Sequence, residues 1–448
     1  MSFPKTFRTR VYCALWLSSM AFAQSNGTRS TAHAVDPGPR GGAANAGAPL
    51  AGLSPIQLAT FLEGKNRFQE VDAVMPNGLG PRFNSNSCSS CHALPAIGGS
   101  SPDGNPQMAF ANSQNQLPAF VEANGPVREA RFIKKPDGTP DGGVHALFVI
   151  AGRPDAPAGC NLTQEDFSNT PNIAMRIPTP TFGLGLIEAI ADATLVQNLA
   201  ANSAAKTQLG ITGKLNRNGN DGTVTRFGWK AQNKSLTIFA AEAYNVEMGV
   251  TNLLFPNERD DTAKCSPAAS PQDGFNLTSV GPAALDDVSA FAAFMRFLAP
   301  PTAAPAAAST TDPTVAGGAL LFATVGCAAC HTMTLQTGPS SLGAAFSNQT
   351  IHPFSDFAVH GMGPGLADQV SQGLAAGDEF RTAPLWGLGQ RLYFLHDGRT
   401  SDLMQAIAAH ASQGNQQFPA SEANAVIRNF NGLSDSGKQA LLNFLRSL

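Results

Sequence analysis

The chain has 448 residues, 29 basic and 32 acidic side chains, and a formal net charge of −3. That balance leaves no basic tract for nucleic acid, and the length allows two or three globular domains.

Lys5, Arg8 and Arg10 precede an apolar run from Val11 to Ala23 that closes on Ala21-Phe22-Ala23. A positive start, a short apolar stretch and small residues at the end predict a secretory signal peptide over 1–23, too short to remain as a membrane span. Its removal would leave a charge of −6 and an exported, periplasmic protein with no integral membrane segment. Residues 24–52 are rich in Gly, Ala, Pro and Ser and read as a disordered leader.

A helix is predicted from about Ile56 to Val71, with Leu58, Phe61, Leu62 and Phe68 near helical spacing. It leads into Cys88-Ser89-Ser90-Cys91-His92, and a second copy, Cys327-Ala328-Ala329-Cys330-His331, follows the short apolar helix Ala319–Ala323. Cys-x-x-Cys-His is the attachment pattern of a c-type haem: two thiols make thioethers and the histidine ligates iron. Two copies predict two covalently bound haem c groups, held by Cys88, Cys91, Cys327 and Cys330, with His92 and His331 on the metal. A structural calcium is a further cofactor to look for. Of the other cysteines, Cys13 leaves with the signal, and Cys160 and Cys265 are an even pair in an oxidising compartment. We expect a disulfide between them, the alternative being two buried thiols.

The stretch 300–313, rich in Pro and Ala, reads as a linker. It divides a first haem domain over 53–299, enlarged by insertions, from a second over 314–448. The expected fold class is mainly α: two cytochrome c-like haem domains with small β and loop additions. An internal echo joins the halves, Arg176-Ile177-Pro178-Thr179-Pro180-Thr181-Phe182-Gly183-Leu184-Gly185 against Arg381-Thr382-Ala383-Pro384-Leu385-Trp386-Gly387-Leu388-Gly389.

A helix capped by Ser401 would put Leu403, Ile407 and His410 on one face. A histidine on an apolar stripe is often a satisfied core residue. Here the stripe follows Tyr393-Phe394-Leu395-His396-Asp397-Gly398-Arg399, a turn whose Arg399 suits a haem propionate.

Phe394-Leu395-His396-Asp397-Gly398 and the helix after it resemble the segment of bacterial di-haem cytochrome c peroxidases that delivers the distal ligand of the C-terminal haem. The position fourteen residues beyond the turn histidine is His410, so the resemblance makes it the sixth ligand opposite His331. The wider pattern is similar to the di-haem oxidoreductases described as peroxidase-like or thiol oxidoreductase-like. The matching pieces include Phe83-Asn84, Gly98-Gly99-Ser100, Asn105-Pro106-Gln107, Phe182 to Ile190, Arg226 to Ala231, Glu247-Met248-Gly249, His360 and Met362-Gly363. The likeness runs from about Ser54 to Leu448, and Gly361 departs from it where an acidic residue is expected.

A peroxidase needs one iron with an open site, an acid or base for the peroxide proton, and a second redox centre. A His331/His410 pair saturates the second iron, leaving the His92 haem as the reactive one. Glu188, in the apolar run Leu186 to Ile190, is the expected pocket acid, its alternative being a surface glutamate. Met248 is either a sixth ligand of the first iron or core packing. The expected function is reduction of hydrogen peroxide at the His92 haem, with electrons from a small periplasmic cytochrome c or cupredoxin. The alternatives are a non-catalytic di-haem electron carrier, or a relative that oxidises a protein or thiol.

Overall fold

The computed structural model describes residues 33–41, 46–266, 270–304 and 313–448. The expected signal peptide and most of the expected linker, 305–312, lie outside the described residues. The chain from Ala34 to Leu448 forms one compact unit, mainly helical with small sheets. No described helix is long and apolar enough to cross a membrane.

Each haem motif is introduced by a helix: α1 (Pro55–Phe68) precedes the single turn α2 (Cys88–Cys91). Ser54 caps α1 by accepting from Gln57 N, while the Gln57 side chain answers the Ser54 N–H, a reciprocal pair that pins the helix start. Phe61 and Phe68 are buried as their spacing predicts, but Leu58 and Leu62 face solvent. Between the motifs run α3 (Leu184–Glu188), α4 (Asp192–Ala200), α5 (Ser203–Leu209), α6 (Leu236–Met248) and α7 (Asp287–Phe297). Then α8 (Pro313–Thr324) enters the second motif, followed by α9 (Leu403–Ala408), α10 (Asn424–Asn431) and α11 (Asp435–Ser447).

The strands are short. β1 (Arg82–Phe83) pairs antiparallel with β4 (Phe148–Val149), and β2 (Glu129–Phe132) lies between β3 (Val144–His145) and β5 (Ile173–Arg176). Later in the chain β6 (Leu335–Gln336) pairs with β7 (Thr350–Ile351), and β8 (Val359–Gly361) with β9 (Glu379–Arg381). A disulfide joins Cys160 to Cys265, Cα–Cα 4.8 Å, across 105 residues of sequence.

The two halves repeat one packing device. Gly64 of α1 lies so close to α7 that a Cβ there would stand 2.2 Å from Ala290 O, and Gly318 of α8 would meet Ala440 O of α11 at 2.0 Å. Only glycine lets the helix before each haem motif cross its partner at backbone contact. The sequence echo has the same basis: Gly185 abuts Arg296 O at the end of α7, and Gly389 abuts Arg446 O at the end of α11.

One core gathers Phe61, Phe68, Ile187, Phe294 and Leu298, and also takes in Leu335, Phe346 and Phe357 from beyond the second haem motif. A second core is built by Phe322, Phe394, Leu403, Phe430 and Leu445. Part of the expected disordered leader is ordered: Asp36 makes a buried ion pair with Arg446 (2.6 Å) and accepts from Leu403 N, while Leu50 N donates to Phe297 O. A composition that predicts disorder is overridden here by one buried charge pair at the chain end.

Candidate haem sites

Cys88, Cys91 and His92 line one cavity of about 170 Å³, and Cys327, Cys330 and His331 line another of about 220 Å³. His92 Nδ1 lies 3.0 Å from Gly99 O and His331 Nδ1 lies 2.9 Å from Phe354 O. A carbonyl only accepts, so Nδ1 carries the proton in both rings. Burial pushes both histidines below their ordinary pKa, His331 to about 4, which keeps them neutral. The Nε2 lone pair is then left for a metal, the arrangement a haem ligand needs. The donor set therefore fits a haem in each cavity.

His410 meets the same test. It lies just past the C-terminal end of α9, lines the second cavity with Leu403, Ile407 and His331, and its Nδ1 is 2.8 Å from Ala406 O. Burial lowers its pKa as well. The helix starts one residue later than the sequence suggests: Asp402, not Ser401, is the cap, accepting from Gln405 N. His360 also lines this cavity but is held by carboxylates, with Nε2 3.0 Å from Asp356 and Nδ1 2.9 Å from Glu422. Burial pulls its pKa down, and the neighbouring Cys330 and Asp356 raise it well above the ordinary value. Cys330, Asp356 and His360 are the one grouping of metal-capable side chains among the described residues, and it lacks the all-oxygen donors calcium takes.

Two expected site residues are corrected. Glu188 does not line the first cavity. Its carboxylate pairs with Arg296 (2.6 Å) and accepts from Leu236 N at the start of α6. The apolar run around it is real, but α3 lasts little more than one turn, and its last residue turns toward α6 and α7. Arg399 does not reach the second cavity. It folds back onto Asp397, with Nε 2.8 Å from Oδ2, at 39 % side-chain exposure. A neighbour two residues away satisfies it before any propionate could.

Three acid groups line the first cavity, Glu129, Glu242 and Glu247, and Glu129 and Glu247 form a pair. Glu129 pairs with Arg131 at 2.7 Å, and the two carboxyls hydrogen-bond to each other. Burial, then the neighbouring Glu129 charge, holds Glu247 well above the carboxylate range. Burial opposes ionisation of Glu129 too, but Arg131, the hydrogen bond with Glu247 and the Arg176 charge together outweigh it and keep that carboxyl low. The pair thus carries one proton at neutral pH, as close buried carboxyls do. A signal for Glu129 is in the sequence: Glu129 and Arg131 are two apart in a strand and so point to one side. Glu247 had no such mark, because its partner lies 118 positions away.

Met248 is buried with its sulfur 3.8 Å from Cys88 Sγ, beside the attachment cysteine. Trp229 borders both cavities; its indole N–H donates to Ile177 O at 2.9 Å. Arg176, at the end of β5, lines the first cavity and is neutralised by Asp368 (2.6 Å), which also holds Lys230 at 3.0 Å.

Residues 146–448 match the family model described as "Di-haem oxidoreductase, putative peroxidase". The chain belongs to this family. No curated protein matches. Among solved structures, similarity is found to the diheme peroxidase BthA from Burkholderia thailandensis E264, at 14 % identity and TM-score 0.37 over 88 % of this chain and 86 % of that one. Hydrazine synthase of Kuenenia stuttgartiensis gives 14 % and 0.36 over 98 % and 100 %, and a MauG-like protein associated with microbial copper homeostasis gives 15 % and 0.29 over 60 % and 90 %.

Proposed function

We propose that this di-haem oxidoreductase is an exported, periplasmic peroxidase. On this reading it reduces hydrogen peroxide at the His92 haem with electrons relayed through the His331/His410 haem. The observation that carries it is the carboxyl pair Glu129/Glu247 in one cavity set against His410 lining the other with His331. We further propose thioether attachment at all four motif cysteines, the 300–313 division between two haem domains, and a small cytochrome c or cupredoxin as donor.

When bound, the first haem would supply an iron that takes peroxide oxygen and accepts electrons. The protein's part is proton management. Glu129, ionised beside Arg131, can accept the peroxide proton, and Glu247, which holds one, can deliver a proton to the leaving oxygen. Met248 lines the same cavity with its sulfur 3.8 Å from Cys88 Sγ, and on this reading it would pack there without ligating the iron. At the second site His410 would close the iron, and such a site passes electrons without binding peroxide. Trp229 offers a conjugated ring between the two cavities. Structural calcium is not assigned.

Peroxide added to the half-reduced protein, followed by absorption and EPR, tests this. One iron should react at once while the other stays low-spin and is then oxidised. Two irons low-spin in every redox state and inert to peroxide would establish the electron-carrier alternative.

A further inference from the structure

Arg381 is a buried cation and Arg391 a half-buried one beside it, and no ion pair joins either to a carboxylate among the described residues. Arg381 ends β9 at 7 % exposure; its Nε donates to Gly228 O at 2.8 Å, and its Nη1 is buried with no hydrogen-bond partner. Both side chains line the second cavity and a small pocket beside it that Trp229 and Thr179 complete. Burial, and for Arg381 the neighbouring Arg391 charge, lowers each to about 10, so both remain charged at neutral pH. No carboxylate acts on either one. The contrast with Arg176 is direct. Each arginine ends a strand and opens one copy of the sequence echo, yet Arg176 has Asp368 and Arg381 has no carboxylate partner among the described residues.

Two like charges side by side, one buried with an idle donor and the other half-buried, are costly unless an anion joins them. We propose that Arg381 and Arg391 form a carboxylate site filled by a propionate of the haem carried on Cys327, Cys330 and His331. The proposal rests on that haem's occupying the second cavity and is independent of peroxide chemistry. The guanidinium of Arg381 can present two parallel N–H groups to a carboxylate, and its backbone N–H already donates to Trp229 O (2.8 Å). The propionate would therefore end beside the one ring shared by both cavities.

The test is spectroelectrochemical titration of the holoprotein between pH 5 and 8, comparing wild type with Arg381→Gln, Arg391→Gln and Arg381→Lys. Intact mass first establishes that two haems remain attached; a wild-type chain without haem at Cys327/Cys330 would remove the premise itself. With both haems present, each Gln variant should lower the midpoint potential of the His331 haem, because losing a cation favours ferric iron. That haem should also take up protons on reduction more strongly than in wild type, and the His92 haem should change less. Arg381→Lys should fall between, and it carries the test if a Gln variant does not fold. Loaded variants with wild-type potentials and pH profiles would overturn the proposal. A wild-type potential that follows added formate and returns on dialysis would assign the site to a free anion and overturn the propionate.

Discussion

The two cavities begin from the same pentapeptide motif and diverge in what surrounds it. Around His92 the wall is rich in charge: Glu129, Arg131, Arg176, Glu242 and Glu247 all reach it. Around His331 the lining is more apolar, with Leu366, Phe394, Leu403 and Ile427; Arg381, Arg391 and Glu422 are its charged members, and His360, His396 and His410 line it with His331. A proton-handling wall suits a site where bonds break, and a more apolar one with a second histidine free to ligate suits a site that only exchanges electrons. The matched crossings at Gly64 and Gly318 show one scaffold used twice, and under the proposed function the wall residues separate the roles.

The largest effect comes from breaking the motifs that the cavities share. Cys88→Ala and, separately, Cys327→Ala should each weaken or lose one haem, read as one haem mass missing from the chain. Next, His410→Ala should make the second site resemble the first: its iron should turn high-spin and bind exogenous ligands, visible in absorption and EPR. An unchanged low-spin signal in folded protein would move the ligand elsewhere. Glu247→Gln should do the reverse, making the first site resemble the second in chemistry. Both spectra should hold while peroxide cleavage slows by about 10²–10⁴-fold, the usual share of general acid–base catalysis. A rate within a few-fold of wild type would exclude the carboxyl pair from proton transfer.

A smaller effect is expected at Asp72, buried near the first motif, where Tyr244 O–H lies 3.1 Å from its carboxylate. Burial raises this group to about 7. In the unfolded chain it ionises near 3.8, so between about pH 4 and 7 the folded state binds more protons, and stability falls as pH rises through that window. Asp72→Asn should flatten that slope by roughly 2–4 kcal/mol between pH 4 and 8 in chemical denaturation. The smallest effect sharpens a correction. Glu188→Gln should cost about 1 kcal/mol through its partly exposed pair with Arg296 and leave peroxide turnover unchanged.

Much of this protein was written in short stretches of the chain. The haem motifs, the leading helices, the Cys160–Cys265 disulfide and the internal echo depend on neighbours a few residues apart, or on a pairing that arithmetic narrows to one choice. The place of His410 in the wall of the second cavity was legible for the same reason, since one turn and one short helix set it relative to His396. Glu188 and Arg399 misled because their types suited the chemistry while their partners, Arg296 and Asp397, were nearer than the cavities. For Arg399 the competitor lies two residues away, yet only the folded turn shows that it wins. Glu129 with Glu247, Arg176 with Asp368, and the unpartnered Arg381 could come only from the tertiary structure. Proton sharing and charge compensation depend on distances of about 3 Å between groups more than a hundred residues apart, and on burial that no local pattern reports.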